Sequence, residues 1–396
     1  MPTRRIRTYR YVYIVVAAFL AFFAGLASWQ LWRYTPSHVV ATCKTSASSS
    51  VCYSERIKDT LARDGLSSAL DLVAYAYAND ARFAGNCHGE MHVLGADAYG
   101  LFAQQKLVEL NDKASSCGYG FYHGFMQTLL YATHDYAEAR AFCAYAGERV
   151  PYPEGYTEGA CYHGIGHGFT DGGDSSTIGD PVAMAAPGLD ICQKVASSTP
   201  EWEYRCYSGV FNAMAILAQD PDNKFDMHDD PYLFCKWSDL DALKRKACYG
   251  EMNTLVVTMS DRDVDKTVSY VDTIADPFYR LYALKTALAV YGANQRESPD
   301  LPRTVALVCE RYATVAQQAC VGAFVSGMLE MGTPGLQHVA VLGLCASDEL
   351  TPNMQSACYT QLIDVPQVAF GKATVQAMCD ATPLQYRVAL QTCAAL

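Results

Sequence analysis

The stretch Cys161-Tyr162-His163-Gly164-Ile165-Gly166-His167 decides how this chain is read. Its opening of cysteine, tyrosine and then glycine returns as Cys206-Tyr207-Ser208-Gly209 and as Cys248-Tyr249-Gly250. Earlier versions are Cys87-His88-Gly89 and Cys117-Gly118-Tyr119-Gly120, and a later one is Cys320-Val321-Gly322. Residues 274–288 (IADPFYRLYALKTAL) have the same texture, with Ala283 in the place of the cysteine. The motif therefore recurs about every 30–45 residues, the period of helical-hairpin repeats.

The segments between motifs fit helices. Residues 61–77 and 304–316 carry apolar side chains at three- and four-residue spacing, and strict two-residue alternation is scarce. Each unit reads as a helix A, a turn, and a helix B that starts at the motif, with a disulfide tying the end of A to the start of B. The expected pairs are Cys143 with Cys161, Cys192 with Cys206, Cys235 with Cys248, Cys309 with Cys320, Cys345 with Cys358, and Cys379 with Cys393. Cys87 would join Cys117, and Cys43 would join Cys52, which uses all 16 cysteines. Loops of about 10–17 residues closed in this way each stabilise by about 3 kcal/mol. Glycine early in helix B costs about 1 kcal/mol of helix propensity but lets two helix backbones approach closely. The expected fold is all-α, a disulfide-stapled helical-hairpin repeat array, or α/α solenoid, of about seven to nine hairpins. In period and helical texture it resembles tetratricopeptide-like and Sel1-like solenoids. The alanine-and-glycine signature of Sel1 repeats is absent, so the resemblance reaches architecture only.

Sixteen cysteines without a single CxxC pair point to an oxidising compartment rather than to zinc ribbons or thioredoxin-like chemistry. The first forty residues agree. Residues 1–10 hold Arg4, Arg5, Arg7 and Arg10 and read as a basic cytoplasmic tail. The apolar run over 11–33, closed by Trp29 and Trp32, is long enough to span a bilayer as an uncleaved signal anchor and long for a cleaved signal peptide. Residues 34–54 are small and polar and read as a linker. Residues 55–396 form the extracytoplasmic domain, with histidine-bearing repeats over about 55–175 and scaffold repeats beyond. The bulk of the chain then lies outside the membrane, periplasmic or extracellular. A net charge of -11 excludes nucleic acid as the main partner.

Stacking the repeats on the motif glycine exposes a second pattern. Three residues after it stand His92, His123 and His167, then Asn212 and Asn253. One residue before it stand His88, Tyr119, His163, Ser208 and Tyr249. These positions are four apart and share a helix face. One turn further on come Gln127 and Asp171. Two histidines at i and i+4 are a competent bidentate metal pair, and the chain has that pair twice.

Because neighbouring helices pack about 8–10 Å apart, imidazoles from adjacent units can meet at one point. The expected metal ligands are His88, His92, His123, His163 and His167, with Asp171 as a carboxylate ligand or acceptor. The expected metal is a transition ion such as zinc, copper or iron. Tyr119, Gln127, Ser208, Asn212, Tyr249 and Asn253 would line the same groove. A metal held there could activate water or dioxygen, with Asp171 or Glu90 handling protons. The glutamate does not follow the first histidine directly, so this is not the HExxH of zincins. The competing reading is a non-enzymatic scaffold whose His/Asn ladder binds an exported peptide or protein. The two readings differ in geometry: imidazoles converge on one ion in the first and lie spread along the groove in the second.

Overall fold

The structure, a computed structural model, describes residues 33–105, 108–150, 156–171, 175–196, 199–223, 225–332, 336–365 and 370–395. Among them it is helical throughout, without strands. The helices are α1 (Pro36–Lys44), α2 (Ser49–Asp64), α3 (Leu66–Asn79), α4 (Ala81–Gln105), α5 (Gly120–Thr133), α6 (Tyr136–Arg149) and α7 (Tyr156–Asp171). There follow α8 (Pro181–Ala196), α9 (Pro200–Leu217), α10 (Ala242–Glu251), α11 (Asn253–Met259), α12 (Val264–Asp272) and α13 (Pro277–Gln295). The chain continues with α14 (Leu301–Cys309), α15 (Thr314–Glu330), α16 (Gln337–Cys345) and α17 (Pro352–Ile363), and closes with α18 (Lys372–Ala381), α19 (Leu384–Arg387) and α20 (Gln391–Ala394).

The contacts divide the chain into two compact units, Met1–Cys87 and His88–Leu396. In the first unit, the stretch expected to be a linker is helical. Pro36 starts α1, which buries Val39, Val40 and Cys43, and Cys43 is bonded to Cys52 in α2. A few apolar residues plus a disulfide suffice to dock a helix of polar composition. The expected tail and residues 11–32 of the expected anchor lie outside the described residues. Among those described, no helix is long and apolar enough to cross a membrane.

The second unit is built from the expected hairpins. Cys143–Cys161, Cys192–Cys206, Cys235–Cys248, Cys309–Cys320, Cys345–Cys358 and Cys379–Cys393 are all bonded, with Cα–Cα distances of 5.3 to 5.6 Å. Cys87 and Cys117 are also disulfide-bonded, and no cysteine is free. Successive B helices pack on one another in chain order, α5 on α7, α7 on α9, α9 on α10, α10 on α13, α13 on α15 and α15 on α17. Ala283, the substitute for the cysteine, is fully buried in α13.

One detail of the hairpin differs from the sequence reading. Helix B starts at the motif only in α5, at Gly120, and starts before it in α7, α9, α10, α15 and α17. The motif cysteine is the sixth residue of α7 and the seventh of α9, α10, α15 and α17. The start signals lie earlier. Pro200 opens α9, the Asp241 carboxylate accepts from the Leu243 and Lys244 amides, and Thr351 with Pro352 opens α17. These are ordinary N-terminal signals of helices. The disulfide therefore clamps B nearly two turns inside the helix, and this fixes the helix's rotation as well as its position.

Candidate metal centre

Three helices carry the five stacked histidines: α4 holds His88 and His92, α5 holds His123, and α7 holds His163 and His167. Glycine brings their backbones together. A Cβ on Gly124 of α5 would lie 1.8 Å from the His92 carbonyl oxygen, and one on Gly120 would lie 2.4 Å from that of His88. On α7, Gly164 presses on the Tyr122 carbonyl in the same way, at 2.6 Å. No larger residue permits this approach, and the side chains rooted beside these contacts are forced into one volume.

The imidazoles converge there. Ring centroids of His123 and His167 are 4.3 Å apart and nearly parallel. His123 is 5.1 Å from both His88 and His163 and 5.7 Å from His92, which is itself 5.7 Å from His167. One ring nitrogen from each of His92, His123 and His167 can be chosen so that all three lie within 4.8 Å of one another. His123 and His167 are buried, at 2% and 4% exposure, and neither ring nitrogen of either has a hydrogen-bond partner. Four buried polar atoms left unpaired are costly in free energy and call for a ligand.

His88 and His163 stand on either side of this group with their tautomers fixed. His88 Nδ1 is 2.9 Å from the Cys117 carbonyl oxygen, which can only accept, so the proton sits on Nδ1. His163 Nδ1 is 2.8 Å from Ser208 Oγ, whose own hydroxyl donates to the Arg205 carbonyl. Ser208 therefore accepts from His163 Nδ1, and Asn212 makes a second hydrogen bond to the same ring. Metal-binding histidines are commonly held by such an acceptor on the far nitrogen.

The electrostatics keep all five rings neutral at pH 7. Burial, and then the neighbouring His88, lower His92 to about 4. Burial, and then Arg205, lower His163 to about 3. His123 and His167 lie well below their usual range because they are buried among the other imidazoles, and burial lowers His88 too. A neutral imidazole is the metal-binding form.

Of the six expected ligands, the structure brings three to ligand distance and sets two beside them. Asp171 ends α7, and its side chain lies outside the described residues. Glu90 is buried but does not join the group.

The expected groove residues divide. Tyr119, Asn212 and Asn253 line a cavity of about 640 Å³ that also opens on His88, His123 and His163. Ser208 is buried behind His163. Gln127 is not in the cavity: its backbone takes the close approach of Gly168, at 2.7 Å from a Cβ built there. Tyr249 is not in the cavity either. It is buried and stacks on Tyr279 with centroids 5.2 Å apart. In Cys248-Tyr249-Gly250 the tyrosine follows the cysteine directly, as Tyr162 and Tyr207 do, and those two are also buried.

Comparison with known proteins finds no family model, no curated protein and no solved structure that matches.

The cavity also holds charged groups that the sequence reading passed over: Arg205, Glu251 and Glu330. Asn212 Nδ2 donates to Glu251 at 3.1 Å. Burial pushes the Glu251 carboxyl up to about 7, against the opposing pull of Asn212 and Arg205. Glu330 lines the same cavity from α15. A signal for Glu251 was present: it directly follows the motif glycine, where Glu90 follows Gly89 in the first unit of the pattern.

Proposed function

We propose that this is an extracytoplasmic, transition-metal-binding protein whose ion is held by His92, His123 and His167, with His88 and His163 as flanking imidazoles. A single observation carries the reading: His123 and His167 are buried with both ring nitrogens unpartnered, beside a third imidazole at ligand distance. A purely structural polar ladder would pair those nitrogens with neighbouring helices. A peptide groove would spread the rings along its length instead of gathering them.

The donor set is nitrogen only, neutral and borderline in softness. Zinc, copper or iron fits it, and calcium or magnesium does not. When bound, such an ion supplies Lewis acidity or, for copper and iron, electron transfer. The chain's own contribution is to orient the imidazoles through Cys117 and Ser208 and to shield the ion from water.

The compartment rests on the sixteen cysteines, none of them free, and the anchor rests on the apolar run over 11–33. In this reading the hairpin array is an α/α solenoid whose early units carry the ion. The test is metal content by elemental mass spectrometry, on protein purified with intact disulfides and on a variant with His92, His123 and His167 changed to alanine. Near-stoichiometric metal that is lost in the variant is the expected result. No metal in either sample after incubation with zinc, copper and iron salts would overturn it.

A further inference from the structure

An ion among the imidazoles brings a charge that its ligands do not answer. His92, His123 and His167 are neutral donors, and His123 and His167 are buried. A double positive charge in such surroundings is costly unless a carboxylate compensates it. Glu90 does not join the group.

Hydrogen bonds lead from the cluster to a different carboxyl, that of Glu251. The His163 ring lies 5.1 Å from that of His123. Its Nδ1 donates to Ser208 Oγ at 2.8 Å, and Asn212 makes a second hydrogen bond to the ring. The same two residues are partners of Glu251: Asn212 Nδ2 donates to its Oε2 at 3.1 Å, and Ser208 is hydrogen-bonded to it as well. Two parallel paths, each through one side chain, therefore join the flanking imidazole to one carboxyl group. Ser208 and Asn212 are four residues apart on α9, which packs on α7 and on α10, and Glu251 is the last residue of α10. The packing of three helices fixes the connection.

The other groups that act on Glu251 are Arg205 of α9 and Glu330 of α15, and it acts in turn on the hydroxyls of Tyr204 and Tyr282. Burial keeps both tyrosines neutral. Arg205 favours the carboxylate, whereas burial and Glu330 favour the acid, and burial prevails. A bound cation acts on a carboxyl in the same sense as an arginine and tips this balance toward the carboxylate.

We propose that Glu251 is the counter-charge of the metal centre, giving up its proton to solvent when a dication binds, so that metal uptake is coupled to pH. The inference rests on the reading of the imidazoles as a metal site and adds how that site is regulated. The step balances: one dication enters, one proton leaves, and one carboxyl becomes a carboxylate. His92 and His163 release none at pH 6.5, because they are already neutral there. The metal-free form holds the extra proton, so zinc affinity rises with pH up to about 7 and levels off above it.

The test is a calorimetric titration of zinc into the full chain, with intact disulfides and stripped of metal by a chelator. Runs at pH 6.5 in two buffers of different ionisation enthalpy count the protons released. Glu251→Gln is compared with Glu330→Gln, which alters an exposed residue of the same cavity. The expected result is about half to one proton per zinc from the natural chain and from Glu330→Gln, and that much less from Glu251→Gln. Zinc affinity of the natural chain should also fall about ten-fold from pH 7 to pH 5.5, and that of Glu251→Gln far less. Equal proton release by the natural chain and Glu251→Gln, with zinc bound to both, overturns the proposal and leaves the metal site standing. A natural chain that binds zinc and releases no proton overturns it without any variant. If the natural chain binds no zinc, the metal reading itself falls, and this proposal with it.

Discussion

The helices α5 and α7 and the helices α13 and α15 are two copies of one packing scheme with different contents. In both pairs a glycine of one helix lies against a carbonyl of its neighbour: Gly124 against His92 of α4 and Gly164 against Tyr122 in the first region, Gly292 against Phe324 and Gly327 against Ala289 in the second. Three residues after the motif glycine, α5 and α7 place His123 and His167, whereas α15 places Val325 after Gly322. Val325 is fully buried among apolar side chains and needs no partner. The fold therefore does not require imidazoles at this position. It builds the same helix contact from valine, and the histidines are there for something the contact itself does not use.

The sharpest way to break this comparison is to disturb the glycine contact in both regions. Gly124→Ala and Gly327→Ala put a methyl 1.8 Å and 1.7 Å from a backbone oxygen, so each should destabilise by about 3 kcal/mol or more in denaturant unfolding. Only Gly124→Ala should also lose metal. If both retain metal equally, the close approach does not position the imidazoles.

Next in size is the exchange of side chains. His123→Leu should abolish metal binding yet leave the metal-free protein as stable as before, or more so, because it removes two unpartnered buried nitrogens. Val325→Ala should do the opposite, leaving metal unchanged and costing about 2 kcal/mol of stability. A large loss of metal-free stability in His123→Leu would mark the histidine as a packing residue like Val325.

A smaller effect is expected one step out from the ions' ligands. Ser208→Ala removes the acceptor that holds His163 Nδ1. Metal affinity, read by competition with a chromophoric chelator, should fall by about 10–100-fold with little change in fold. If His163 takes no part in the site, affinity will not move.

The smallest effect is in pH. His92 and His163 titrate in the folded state at about 4 and about 3, below the ordinary 6.5. A depressed histidine favours the folded state above its unfolded value, so that contribution is complete above about 6.5 and is lost as pH falls toward 4 and 3. Glu251, raised from 4.5 to about 7, acts oppositely: its contribution is present below 4.5 and lost as pH rises through 7. Thermal melts of the metal-free protein should therefore fall with acidification below 6.5, and Glu251→Gln should lessen the loss of stability between 4.5 and 7.

How far the sequence carries these conclusions varies by feature. The hairpins and seven of the disulfides follow from cysteine spacing, because a staple between two helices leaves a regular mark in the chain. The convergence of histidines follows from stacking repeats on the glycine, because that glycine is where the first helices touch. The same alignment fails at Tyr249, which takes the buried place of Tyr162 and Tyr207, the other tyrosines directly after a motif cysteine. Residues 34–54 look like a linker because α1 is anchored by only three buried side chains and one disulfide, too few to show as periodicity. Arg205, Glu251 and Glu330 belong to no repeat position in common. They meet only because three separate helices line one cavity, and a linear pattern does not carry that information.

The central claim is that imidazoles of the first repeats hold one ion that the later repeats cannot. X-ray absorption at the metal edge of the zinc-loaded, dialysed protein tests it most directly. The account predicts retained zinc with at least three imidazole nitrogens at about 2.0–2.1 Å. Zinc that dialyses away, or a shell of oxygen alone, would contradict it.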